Sequence, residues 1–108
     1  MKQAQIIERL KNDISTKAYR ATCCEALNRY GYDERMMDYH ANIYNGEAFE
    51  AISLLNWITG STKGDDIYEA AQAEAHEDIE KAEFHLIAIL DMAGFNGKDH
   101  YESTMKYA

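Results

Sequence analysis

The chain contains no proline. Proline breaks a helix interior because it lacks the backbone N–H and its ring collides with the preceding turn. At ordinary usage about five prolines would fall in a chain of this length. Valine is absent as well, which thins the residues that favour strands. Both absences direct the chain toward long helices and away from a sheet. Its 108 residues fit one domain around one core. The expected fold is all-α: a small helical bundle of three to four main helices with a short C-terminal helix, with residues 1–108 forming a single domain.

Apolar periodicity places the helices. Ile7, Leu10, Ile14, Ala18, Ala21 and Leu27 recur at three- and four-residue steps over residues 2–30, and Gly31 is a stop. Asp33 is positioned to cap a second segment, residues 34–44, with Met36, Met37, His40, Ile43 and Tyr44 inward. Asn45-Gly46 reads as a turn. A third segment, 47–59, ends at Gly60. Ala48, Phe49, Ala51, Ile52, Leu54, Leu55, Trp57 and Ile58 leave it almost no polar side, the pattern of a central, buried helix. Residues 60–66 read as a loop. Asp65 or Asp66 then caps a long helix over 67–93, with core positions Ala71, Ala75, Ile79, Ala82, Leu86, Leu90 and Ala93. Gly94 stops it, and Asp99 caps a last short helix over 100–107.

Cys23 and Cys24 are sequence neighbours, about 100° apart on a helix, and do not readily pair. They read as small buried side chains in a reducing compartment. No histidine stands at a zinc-finger spacing from them. There is no apolar run near 18 residues and no signal peptide, so the expectation is a cytoplasmic protein without a membrane partner. The eight tyrosines suit contact surfaces, since each ring carries area and a polar tip.

The net charge of −8 is unevenly placed. Residues 47–96 carry two lysines against eleven carboxylates, whereas residues 1–46 carry seven Lys/Arg and six Asp/Glu. Such a field repels nucleic acid and attracts cations or a basic protein surface. Glu47 and Glu50 lie about 60° apart on the apolar third segment. On the next helix Glu69, His76, Glu80 and Glu83 fall within about 60° of one another, on one flank of its apolar stripe. Two readings follow. If that flank faces the third segment, Glu47, Glu50, Glu80, Glu83 and His76 converge as ligands for Mg²⁺ or Mn²⁺, which hard oxygen donors suit. If it faces water, the same residues form a solvated acidic surface. Lys63, among the glycines of the 60–66 loop, could meet a phosphate, although the P-loop order is missing.

Glu47-x-x-Glu50 followed by Glu80-x-x-Glu83 and a Gly94 turn resembles the all-α nucleoside triphosphate pyrophosphohydrolases of the MazG type, over residues 44–96. Gly46 stands where that family usually has a further Glu, and Glu83 where an Asp is usual. The resemblance implies Mg²⁺ or Mn²⁺ held by these carboxylates, a nucleotide bound by its phosphates, catalytic roles for Glu50 and Glu83, and a homo-oligomer. The apolar third segment also implies self-association, because a chain this small has little else to cover it. The alternative function is a non-enzymatic acidic inhibitor of phage or plasmid type. It would block a host defence or nucleic-acid-binding protein by imitating the phosphates of DNA, or sequester a nucleotide. An oligomerisation module is a third reading.

Overall fold

The structure is a computed structural model that describes residues 2–106. Those residues form five helices and no strand: α1 (Gln3–Arg29), α2 (Glu34–Thr59), α3 (Lys63–Lys81), α4 (Leu86–Met92) and α5 (Gly97–Lys106). The all-α bundle read from the sequence is the fold observed. No helix among the described residues is long and apolar enough to cross a membrane.

The central helix is α1. It packs on α2, α3 and α4, and α5 packs on α4. Ile14, Ala18, Cys23, Cys24, Ala26 and Leu27 of α1 are wholly buried. The end of α1 is closed by a Schellman pair, in which Tyr32 N–H donates to Leu27 O and Gly31 N–H to Asn28 O. Gly31 takes the left-handed φ of 80° that this closure needs. Tyr32 then turns into the core, where it is 4% exposed.

Three expectations about the elements are corrected. First, Asn45-Gly46 is no turn; α2 runs straight through it. The Asn45 side chain is engaged on both sides, donating to Glu25 Oε1 at 3.1 Å and accepting from Tyr68 Oη at 2.7 Å. It joins α1, α2 and α3 as a helical residue, so its turn chemistry is overridden. Second, α3 begins at Lys63, so the connection to it is far shorter than a 60–66 loop. Asn56 grips the first turn of α3: its Oδ1 accepts from Gly64 N and its Nδ2 donates to Asp65 Oδ2, both at 2.8 Å. A Cβ on Gly64 would lie 3.0 Å from Ile52 Cα, so only glycine allows this approach. Third, the helix expected over 67–93 breaks at residues 82–85. Glu83 and Phe84 adopt φ of 52° and 62°. Phe84 swings out against Tyr30, ring centroids 4.8 Å apart, and Ile89, Leu90 and Ala93 return to the core on α4. The cue is hidden because neither residue is a glycine.

The caps also differ in detail. Asp33 occupies the N-cap of α2, yet its side chain makes no capping bond. The last helix starts at Gly97 rather than 100, with Asn96 Oδ1 accepting from Asp99 N–H and Asp91 Oδ1 from Gly97 N–H. Its expected end at residue 107 lies outside the described residues.

The segment 47–59 is not central. Ala48, Ala51, Ile52 and Leu55 pack inward, but Phe49, Leu54 and Trp57 are exposed. On the preceding turns Met37 is buried, His40 and Tyr44 are half-buried, and Met36 and Ile43 face out. The molecule measures 48 × 24 × 19 Å. Its radius of gyration, 15.1 Å, exceeds the ~13 Å of a compact chain this long. A long flank of α2 is therefore left open.

Candidate functional site

Glu47 and Glu50 stand on α2 beside a groove of about 430 Å³ between α1 and α2. Leu10, Asp13 and Lys17 line its α1 side. Lys17 Nζ lies 2.8 Å from Glu47 Oε2 and 5.5 Å above the Tyr44 ring centre, so Glu47 already has a cation. Asp13 and Lys17 were not singled out from the sequence. Asp13 immediately precedes the buried Ile14 and Lys17 follows it by three residues, and only the docking of α2 on this side of α1 brings them to the groove.

The α3 carboxylates go elsewhere. At the level of Glu47 and Glu50, α3 presents Tyr68, whose ring lies 5.5 Å from Phe49. Glu80 stands more than three turns further along, ~18 Å at 1.5 Å per residue. Glu69, His76, Glu77 and Glu80 are all exposed, on the side of α3 away from buried Ala71, Ala75 and Ile79. Glu83 is exposed in the left-handed turn after the helix. Glu47 and Glu50 are thus together, and His76 and Glu80 share a face, but the two sets are not brought together. Among the described residues, no three His, Cys, Asp or Glu side chains are placed to hold a metal ion.

Lys63 is exposed at the first position of α3. The N–H groups that could receive a phosphate there already have acceptors. Lys63 N–H donates to Ser61 Oγ, Gly64 N–H to Asn56 Oδ1, and Asp65 and Asp66 N–H to Thr62 O. Asp65 and Asp66 add negative charge at the same end.

One carboxylate of α3 points inward. Asp78 Oδ2 accepts from Tyr19 Oη at 2.6 Å, tying α3 to α1. Burial first, and this hydrogen bond second, push the Tyr19 hydroxyl pKa well above its ordinary value. The bond is structural, and it leaves the rest of the α3 acids unpaired with the core. Lys81 pairs with Glu77 at 3.1 Å on the open surface, where such a pair contributes little.

Comparison of the chain with protein-family models, curated proteins and solved structures finds no match.

Proposed function

We propose that the protein is a non-enzymatic binder that presents the acidic face of α3 to a basic surface on another protein. The observation that carries this reading is the outward direction of the α3 acids. Asp65, Asp66, Glu69, Glu77 and Glu80 are exposed along the helix, and Asp66 and Glu80 stand ~21 Å apart along the axis. Carboxylates in water meet no desolvation cost, so the row holds its charge without a metal. A net charge of −8 adds long-range attraction for a cationic partner. A row of this length suits several Arg or Lys side chains at once, as the phosphates of nucleic acid do.

The test has two arms. Binding of an arginine-rich peptide should be measurable at low salt and fall by about tenfold or more as screening shortens from ~30 Å at 0.01 M to ~8 Å at 0.15 M ionic strength. Combined Glu69→Gln, Glu77→Gln and Glu80→Gln replacement should weaken it similarly without loss of helicity. In the second arm, nucleoside triphosphates should stay intact with Mg²⁺ or Mn²⁺ present. Release of pyrophosphate that disappears in Glu50→Gln or Glu83→Gln would overturn the binder reading and favour the pyrophosphohydrolase.

A further inference from the structure

The outward face of α2 carries apolar side chains toward both ends, with Gly46 and Glu50 in its middle. Met36, Tyr39, Ile43, Leu54 and Trp57 recur, with Gly46 and Glu50 between them, at steps of three or four, which places them in one stripe. Their exposures are 42%, 57%, 38%, 44% and 81%. Aromatic side chains carry about 150–250 Å² each, so the stripe exposes on the order of 500 Å² of apolar surface. That reaches the ~300–600 Å² of the largest patch on an ordinary monomer, and such patches are often functional.

The stripe is symmetric about the middle of the helix. Gly46 lies at the centre of Glu34–Thr59. Met36 and Trp57 are equally far from that centre, and so are Tyr39 and Leu54. A groove of about 410 Å³ lined by Asp33, Arg35, Met36 and Tyr39 sits at one end, and the exposed Trp57 ring sits at the other. Two-fold packing makes each contact twice, so a knob and a groove on the same helix complete each other. Arg35 adds a cation for the Trp57 face. A Cβ on Gly46 would meet nothing within 4 Å in the chain itself, so its missing side chain serves no contact inside this fold. In a pair, it lets two helix backbones come close at the centre.

We propose that two copies associate through antiparallel packing of α2 on α2, with Trp57 of each copy seated beside Met36 and Tyr39 of the other. With Arg35, the Glu50 side chain within the seam and the flank of α1 included, the face approaches the ~800 Å² per partner of an ordinary stable interface. The pairing involves a different helix from the acidic face of α3, so either reading can fail without the other.

Sedimentation of the full chain from about 1 to about 100 μM should show a monomer–dimer equilibrium. Trp57 is the sole tryptophan, so its emission should shift to the blue as the dimer forms. Leu54→Glu and Gly46→Leu should each weaken association by at least about tenfold, with helicity retained because both positions face out of the monomer. The Met36→Cys/Trp57→Cys double variant should form disulfide-linked dimers on oxidation, and Trp57→Cys alone should not. The native Cys23 and Cys24 are buried and stay out of this reaction. A monomer at every concentration, association untouched by both substitutions, or cross-linking of Trp57→Cys alone would each overturn the proposal.

Discussion

Cys23 and Cys24 show how burial sets the chemistry of single residues here. Both are free and buried on α1. Burial, with smaller help from neighbouring negative charge, pushes each thiol up to about 12 from its ordinary 9.0. The folded state therefore holds protons that the unfolded chain releases earlier. Their contribution to stability is complete below pH 9.0 and is lost as pH rises toward 12. Tyr19, Tyr32 and Tyr68, also raised chiefly by burial, act in the same direction. Thermal melting should thus fall steadily through this alkaline range. At neutral pH, iodoacetamide should leave both thiols unmodified until the chain unfolds. Rapid alkylation of the native protein would contradict their placement. The inward nature of this pair was legible from residue type alone. The roles of Asp13 and Lys17 were not, since only the packing of α1 on α2 turns an ordinary surface Asp and Lys into groove residues.

The elements were legible where glycine ends them. Gly31, Gly60 and Gly94 all adopt positive φ at a helix end or just past one, and each is a stop signal in the sequence. They were illegible where tertiary contacts overrule local chemistry. Asn45 is held by Glu25 and Tyr68, so a turn dipeptide became helix interior. Glu83 and Phe84 break a helix while being ordinary helix residues, at about 1–2 kcal/mol each for left-handed backbone. Continuity of α2 is directly testable. In dilute protein, Gly46→Ala should stabilise the fold by about 0.5–1 kcal/mol, because alanine is the better helix residue and its Cβ meets nothing nearby. Loss of stability in urea unfolding of that variant would restore the turn.

For the whole molecule, the sequence pattern stated how apolar residues 47–59 are, but not what covers them. Inside one chain, α1 took the central position, because Ile14, Ala18, Cys23, Cys24 and Leu27 fill the space between α2 and α3. That left α2 half open and lying along the molecule's flank. The same arrangement separated the acids. Glu47 met Lys17, Asp78 met Tyr19, Asp65 met Asn56, Glu77 met Lys81 on the surface, and the other α3 carboxylates turned to water. Periodicity puts Glu69, His76 and Glu80 on one flank of α3, and all three are exposed, whereas Glu83, expected on that flank, falls in the turn after the helix. Which way that flank faces depends on where α3 docks, and no single helix records that. We propose that the α3 acids, and Glu50 on α2, act as separate charges rather than as ligands of one metal ion. Calorimetric titration of the full chain with Mn²⁺, beside Glu50→Gln, tests it most directly. No saturable site should appear, and the two proteins should give matching traces. A stoichiometric site of micromolar affinity in the wild type, removed by Glu50→Gln, would contradict it.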